Sequence, residues 1–563
     1  LAHQYYINGE YKKAVVIYEQ IMESNFSSTY YVPYYTSLLN LEDYKNAIDL
    51  SKRLINMYPQ QLQYRLGVII AKEKSGNYSG IERIYDKFFK TLDGSKFQII
   101  SVANILMRHG VYNRALDVYL FSESVNLNND FSLQKAQVYG KLEEEELMIQ
   151  EYLDAMEVNI ANKQIVVSRI QKFLDNDGIK SDKNYQLVKK ILLPKVRSEK
   201  GRTDFSDMLI WLFMQNHQFD MALRQAKALD KRTNSDGTRV YELGEEFLDN
   251  GYFDLAVDAY DYIINKGKNN KFFIESYINK LYALTRVLSY KSQEVSMVND
   301  LYADAISNVG IHSRAVILLS NYAHFKAFYM HDLIAAQRLL DEAMLISGID
   351  HFDLAECKME YADILLLKGD IWQSMLYYSQ VEKDFKEHPI GHEAKLRRAK
   401  IYYYQGDFDW AQAQLAILKG STSKLIANDA MQLSLLITDN YNLDTTDIVM
   451  RLFAKADLLL YQKKYDEAVI KYDSILINFY GHSLSDEIYL RKGDIYLENG
   501  DVSSALVNYE KIEEQWSFDI LSDDALYKRA KVYDDILHNT DAAKQLYEKI
   551  LLEHNSSIFV ADS

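Results

Sequence analysis

The sequence predicts an all-α protein, a right-handed α-solenoid superhelix of about fourteen or fifteen helical hairpins. Three observations predict it. The 563 residues include only 4 Pro and 22 Gly, far too few for the many tight turns of an all-β fold. No stretch reads as a sheet. One helix–turn–helix pattern recurs along most of the chain, and a repeat array that grows in one dimension can reach this length without dividing into globular domains.

The pattern is visible when "AHQYYINGEYKKAVVIYEQI" (Ala2–Ile21), "GEEFLDNGYFDLAVDAYDYI" (Gly244–Ile263) and "GDIYLENGDVSSALVNYEKI" (Gly493–Ile512) are aligned. "ADILLLKGDIWQSMLYYSQV" and "AKIYYYQGDFDWAQAQLAIL" follow it too. Small residues such as Gly493 and Ala505 let two antiparallel helices approach closely. Tyr496, Tyr509 and Ile512 fill the seam between them at helical spacings. Gly500 turns the chain between the helices, where a left-handed backbone is needed. A pair of ~14-residue helices is marginal alone in water, so each hairpin depends on its neighbours to bury its other face.

The small position of the second helix sets the register: Ala14, Ala47, Ile81, Ala115, Met148, Ala222, Ala256, Ala336, Ser374, Ala411, Ala468, Ala505 and Ala543. Intervals are 33 or 34 residues in the first part and 37 or 38 later, where the connections lengthen. The gaps of 74 and 80 residues each hide a degenerate repeat, and the gap of 57 holds an extra helix from Lys424 to Thr438. Two weak seams stand out. One runs from Asp175 to Arg202 and includes "DNDGIKSDKN", Pro194 and "RSEKGR"; the other is "KGKNNK" (Lys266–Lys271). Neither has the composition of a disordered linker. They read as bends in one superhelix that could divide it into two arms. The resulting blocks are an N-terminal array at 1–175, degenerate and regular hairpins at 176–270, a central array at 271–423, and the extra helix with a C-terminal array at 424–563.

These hairpins resemble the tetratricopeptide repeat (TPR) family, whose period is about 34 residues. Segment by segment, "GDIWQSMLYYSQVEKDFK" to "AKLRRAKIYYYQGDFDWAQAQLAILKGSTSKLIANDA", together with "WLFMQNHQFDMALRQAKALDKR", is similar to long exported TPR proteins of Bacteroidota. The resemblance implies a non-enzymatic protein of the periplasm or outer membrane that binds protein partners of an envelope complex. It departs from the family pattern in two respects: the first-helix Trp is missing, and the Pro at the repeat end survives mainly at Pro59. A glycan-binding outer-membrane protein and a cytoplasmic adaptor are the alternatives.

Composition excludes several classes. A net charge of -16 argues against nucleic acid, which needs concentrated Lys and Arg, and against docking on anionic lipid. Cys357 is the only cysteine, so no internal disulfide or multi-cysteine metal site can form. Apolar runs such as Met208–Met214 fall short of the ~20 residues that span a bilayer. The sequence calls for no cofactor and no metal. The chain is expected to continue past both ends, and the sequence leaves open whether a signal peptide or lipid anchor precedes Leu1.

Ser421-Thr422-Ser423-Lys424 followed by Thr438-Asp439-Asn440 imitates the nucleophile motifs of serine β-lactamases. No K-T-G accompanies it, so the expected role is capping: Gly420 ends one helix, and Ser421, Thr422 or Ser423 begins the next. His388 and His392 have metal-ligand spacing, but Pro389 between them is expected to forbid a regular helix. His217, His312, His324 and His331 stand alone and read as satisfied or solvent-facing side chains. Glu143 to Glu146 sit at a hairpin turn, where carboxylates favour a helix N-terminus. Trp211, Trp372 and Trp410 lie in helical patterns, which disfavours sugar stacking. Tyr18, Tyr119, Tyr260, Tyr378, Tyr472 and Tyr509 fall on core positions. The expected partner-binding surface is the concave first-helix face near Glu393, carrying Arg397, Lys400, Tyr403 and Tyr404, a combination typical of interface anchors.

Overall fold

Why a hairpin here must turn sharply follows from its register, and the computed structural model shows how. The structure describes residues 1–24, 26–76, 80–126, 128–175, 182–199, 202–288, 292–421, 423–441, 446–555 and 557–561. Every one of the thirteen register positions has a left-handed residue five places before it. At Gly9, Gly76, Gly110, Gly251, Gly369, Gly406 and Gly500 glycine adopts it; at Glu42, Glu143, His217, His331, Lys463 and His538 a residue with a Cβ does. The histidines left unassigned by the sequence thus include turn residues: His217 and His331 hold φ of 53° and 56°.

The described residues form 31 α-helices and no strand. They divide into two compact units, Leu1–Val240 and Tyr241–Ser563. The first contains α1 (Ala2–Ile7), α2 (Tyr11–Ser24), α3 (Tyr31–Asn40), α4 (Tyr44–Met57), α5 (Leu62–Lys74), α6 (Ile81–Phe89), α7 (Lys96–Arg108), α8 (Tyr112–Val125), α9 (Ser132–Lys141), α10 (Glu145–Val158), α11 (Lys163–Leu174), α12 (Asp182–Ser198), α13 (Asp204–Gln215) and α14 (Phe219–Thr233). The unit boundary falls within α15 (Thr238–Asp249). The second unit continues with α16 (Phe253–Ile264), α17 (Phe273–Arg286), α18 (Ser292–Val309), α19 (Val316–Phe328), α20 (Leu333–Met344), α21 (His351–Lys368), α22 (Ile371–Asp384), α23 (Pro389–Gln405), α24 (Phe408–Leu418), α25 (Lys424–Tyr441), α26 (Ile448–Tyr461), α27 (Tyr465–Asn478), α28 (Ser485–Glu498), α29 (Val502–Gln515), α30 (Ser522–Lys531) and α31 (Thr540–Glu553). Fifteen hairpins and one unpaired helix, α25, account for all of them.

The register residues are buried at twelve of thirteen positions. Met148 is the exception and is half-buried, because there the small residue lies on the facing helix: a Cβ on Gly140 would meet the Met148 sulfur at 3.0 Å. The two long gaps each hold one hairpin, α11/α12 and α17/α18, as the spacing required. Two readings need correction. Pro194 lies inside α12, so the helix runs through the expected weak seam; residues 176–181 and 200–201 of that seam lie outside the described residues. At Lys266–Lys271, α16 and α17 pack on each other across the connection. Pro389 starts α23 rather than breaking it, since a first-turn N–H has no helical partner to lose.

Packing at the seam is tight. A Cβ on Gly493 would stand 2.3 Å from the Tyr509 ring, and one on Gly67 would stand 2.0 Å from the Tyr31 hydroxyl. Gly493→Ala is therefore expected to destabilise the chain by about 1–3 kcal/mol, measured by denaturant unfolding. The left-handed turns predict the opposite sign elsewhere. A side chain at such a position costs roughly 1–2 kcal/mol, so Glu143→Gly should raise stability by about 0.5–1 kcal/mol after the glycine's own entropy is counted. No gain for Glu143→Gly would refute the strain argument.

Candidate partner-binding surface

Tyrosine is the residue that fills most hairpin seams in the second unit, and its hydroxyl needs a partner once buried. At three of these seams the partner is an aspartate 15 residues earlier on the first helix. Tyr472 and Tyr509 donate to Asp457 and Asp494, the latter at 2.7 Å, and Tyr378 donates to Asp363. A carboxylate drawn into a seam needs positive charge, and the next first helix supplies it 34 residues on. Arg397 pairs with Asp363, Arg491 approaches Asp457 to 3.6 Å, and Lys528 donates to Asp494 at 2.7 Å. The result is a ladder of three Asp–Tyr–cation rungs, which tie α21 to α23, α26 to α28 and α28 to α30. Burial pushes the Asp363 carboxyl up while Arg397 pulls it back, and burial raises Tyr378 far above its ordinary value.

Between the rungs at Asp363 and Asp457 lies hairpin α23/α24, which carries none. Lys400 stands where the others have Asp, and Leu415 stands where they have Tyr. Here α25 is inserted, and α26 packs back onto α23. Tyr461 at the end of α26 donates to Asp363 at 3.2 Å, Gln462 donates to the Leu366 carbonyl at 3.1 Å, and Asp457 accepts from the Tyr403 hydroxyl at 2.8 Å.

This packing absorbs most of the surface expected from the sequence. Tyr403 is 2% exposed and its hydroxyl is engaged by Asp457, so it cannot line an open groove. Arg397 is held by Asp363 and, at 2.9 Å, by Glu393. Tyr404 is half-buried with its ring 6.3 Å from that of Tyr461. Lys400 is half-buried, with its head 3.9 Å from Asp429 of α25.

The motif at Ser421 is a joint. Its hydroxyl lies 2.9 Å from His392 Nδ1 and accepts from the Ser423 N–H at 3.3 Å, while Ser423 accepts from the Ile426 N–H at the opening of α25. Thr422 lies outside the described residues. Lys424 is exposed. The two histidines face different partners: His388 Nδ1 caps α23 by accepting from the Ile390 N–H, and His392 is occupied with Ser421. Among the described residues no three His, Cys, Asp or Glu side chains converge on a metal site, and no helix is long and apolar enough to cross a membrane. Cys357 is buried and its thiol is pushed up to about 12 by that burial, which leaves it unreactive. The glutamate run behaves as a helix start: Glu144 precedes α10, and Glu145 and Glu146 reach Lys183 and Lys190 at 3.3 and 3.0 Å.

Two surfaces were not legible in the sequence. Trp372 and Trp410 are helical but 74% and 63% exposed. In the first unit, a small cleft of about 40 Å³ lies between the first helices α3, α5 and α7. Tyr31 and Tyr35 form its aromatic wall, their rings 5.1 Å apart and their hydroxyls engaged by Ser51 at 3.0 Å and the Gly67 carbonyl at 2.6 Å. His109 meets the Tyr35 ring edge-on at 5.8 Å. Burial, then the neighbouring Lys74 and Arg108, depress His109 to about 4, so it contributes a neutral ring. Ile70, Ile105, Thr36, Gln63 and Arg108 complete the lining.

The tetratricopeptide repeat signature matches residues 453–520 and 524–557. No curated protein matches the chain. Among solved structures the chain is similar to yeast Tom70, at 14% identity over 99% of this chain and 96% of that one, with a TM-score of 0.29. It is similar to a tetratricopeptide repeat protein from Parabacteroides merdae, at 13% identity over 55% and 99%, with a TM-score of 0.27. Cut9–Hcn1 of the APC/C gives 12% identity over 95% of both chains and a TM-score of 0.24. Identities and TM-scores of this size do not bear on function.

Two outcomes follow from the charged seams. Asp457→Ala leaves Arg491 and two tyrosine hydroxyls unpaired and should cost about 3–5 kcal/mol; Asp494→Ala should cost less, because both Asp494 and Lys528 are about one-third exposed and solvent screens them. Denaturant unfolding of both variants checks the order. At the start of α28, burial and then Asp486 push the Glu487 carboxyl up to about 9, and burial with Asp523 raises Asp524 to about 6. A raised carboxyl pKa means that the folded chain keeps protons the unfolded chain has released. The stability is therefore complete below the ordinary value near 4.5 and lost as pH climbs towards 9. Unfolding midpoints should fall between pH 5 and 9, and Glu487→Gln should flatten that fall.

Proposed function

Because the chain belongs to the tetratricopeptide-repeat family, we propose that it is a non-enzymatic scaffold that assembles or maintains a bacterial cell-envelope complex by binding protein partners. The repeat signature within a series of helical hairpins carries the scaffold reading. Such arrays offer rigid extended surfaces over which a partner segment buries area across several repeats. The absence of enzymatic activity is supported by the Ser421 joint, whose hydroxyl is held by His392 while Lys424 points to solvent. The envelope role, and residence in the periplasm or at the outer membrane, rest on the resemblance of segments such as Gly369–Ala430 to exported proteins of Bacteroidota.

Chemical cross-linking in cells followed by capture of the tagged full chain tests the scaffold reading. Recovery of a defined protein in the envelope fraction is expected; no protein above background under several detergents would defeat it. A fluorescent penicillin should fail to label the chain, and labelling abolished by Ser421→Ala would overturn the non-enzymatic reading. The exposed Trp372 and Trp410 favour a second reading, glycan binding, since solvated indoles stack on sugar rings. Calorimetric titration with oligosaccharides decides it: heat of binding lost in a Trp372→Ala/Trp410→Ala variant would put this reading first.

A further inference from the structure

Most second helices of the array keep charge on the face turned away from the seam. The places one before and two, five and six after the register residue carry at least one charged side chain at eleven of the thirteen hairpins. Lys13 and Glu19 do so on α2, Arg338 and Asp341 on α20, and Glu510 and Lys511 on α29. Only α22 and α24 carry none. On α22 these places hold Gln373, Leu376, Ser379 and Gln380; on α24 they hold Trp410, Ala413, Ala416 and Ile417. Leu376 is 57% and Ile417 61% exposed, and the exposed Trp372 stands one turn before Leu376. Both helices pack on α23, whose Arg398 pairs with Glu382 of α22 and whose Tyr402 ring lies 6.3 Å from that of Trp410. Two neighbouring helices thus turn an apolar, uncharged surface to solvent in a chain that is 26% charged, which marks an interaction surface.

Resting on the scaffold reading, we propose that this outward face of α22 and α24 docks one amphipathic helix of a protein partner, laid antiparallel to both, with its apolar stripe on Trp372, Leu376, Trp410 and Ile417. Backbone chemistry decides for a helix. Between their ends, the backbone groups of α22 and α24 are spent within their own helices, so an extended segment finds no strand edge to pair with, whereas a helix arrives already satisfied. The length agrees, since Trp410 and Ile417 are about 10 Å apart along the axis at ~1.5 Å per residue, or two helical turns. Charge fixes the direction. Both helices open on aspartate, Asp370 on α22 and Asp407 with Asp409 on α24, and both close on lysine, Lys383 and Lys419. A helix with an acidic first turn and a basic last turn, the arrangement its own dipole favours, meets these ends with opposite charge only when it runs antiparallel. A saccharide fits less well, because Leu376, Ala413, Ala416 and Ile417 offer no hydrogen bond to the hydroxyls they would cover. A second copy of the chain fits less well too. At ~150–250 Å² per aromatic side chain, indoles 74% and 63% exposed offer about 200–350 Å². A stable dimer buries roughly 800 Å² per partner, a gap that the smaller Leu376 and Ile417 do not close.

Fluorescence anisotropy on the full chain tests this with a labelled fourteen-residue peptide, stapled into a helix, with Leu along one face, Glu in its first turn and Lys in its last. Binding is expected. Ala413→Glu, which sets a charge in the middle of the apolar face, should weaken it tenfold or more with the unfolding midpoint unchanged, and so should Trp372→Ala/Trp410→Ala. Val507→Glu, the equivalent change on α29, should leave binding as it was. A peptide of the same composition interrupted by proline should bind at least tenfold more weakly. The proposal is overturned if the helical peptide does not bind, if the proline peptide binds as well, if exchanging the Glu and Lys ends makes no difference, or if Ala413→Glu binds like wild type. It is overturned as well if heat of oligosaccharide binding is lost in Ala413→Glu, which gives the face to a glycan, or if wild type sediments as a dimer and Ala413→Glu as a monomer, which gives it to a second copy. Cross-linking in cells separates this from the broader reading. A partner captured equally by wild type and Ala413→Glu removes this face and keeps the scaffold, whereas no partner captured by wild type removes both.

Discussion

One backbone requirement organises the chain: the residue five places before each small seam residue must be left-handed. Two helices of a hairpin can approach to the distance of an alanine side chain only if the chain reverses within a few residues, and that reversal needs a positive φ. Glycine meets it without strain at seven hairpins, whereas at six a side chain is forced into it. The strain persists because burial is larger. A seam tyrosine such as Tyr472, 0% exposed, removes ~150–250 Å² from water. At ~25 cal/mol per Å² of apolar surface that is about 4–6 kcal/mol as an upper bound, against about 1–2 kcal/mol for the turn.

Filling the seam with Tyr instead of Phe has consequences beyond one hairpin. The hydroxyl brings in an aspartate, the aspartate requires a cation, and the cation comes from the following first helix. A single residue choice thus propagates to the neighbouring repeat and couples the stacking of hairpins to their charge pattern. The two units differ here. In the first, the buried hydroxyls of Tyr18 and Tyr85 have no hydrogen-bond partner among the described residues, and hairpins are joined mainly through apolar contact and separate ion pairs at Arg114 and Lys135. In the second, hairpin order is written in charges as well. Water reaches the rung at Asp494 more than the carboxylates of Asp363 and Asp457.

The hairpins were legible because their signal is local: a small residue, a turn residue five before it and a large residue four after it fall within one short stretch, as at Gly500, Ala505 and Tyr509. Even the inserted helix was visible, as a lengthened interval before Ala468. What the sequence could not give is where long-range partners fall. Arg397 and Tyr403 carry the composition of an interface, yet their partners lie 34 residues back at Asp363 and 54 residues ahead at Asp457. The second contact exists only because α25 is displaced and α26 returns to α23. The cleft was hidden for a related reason, since Tyr35, Ile70 and Arg108 come from three hairpins. Comparing residues at the same first-helix position across the repeats would have brought them together. Trp372 and Trp410 were placed correctly on helices, but helical periodicity alone did not fix which way they faced.

A Lys or Arg in the last turn of a helix gains up to about 1 kcal/mol from the helix dipole, and that gain accounts for Arg108 and Lys74 as structural residues. Both are exposed, so water solvates their charge without a carboxylate, as it does for the exposed Lys45, Arg53 and Arg83. A carboxylate of the chain becomes necessary where water is largely excluded, as for Arg529 beside Glu513 and Lys135 between Glu123 and Glu151.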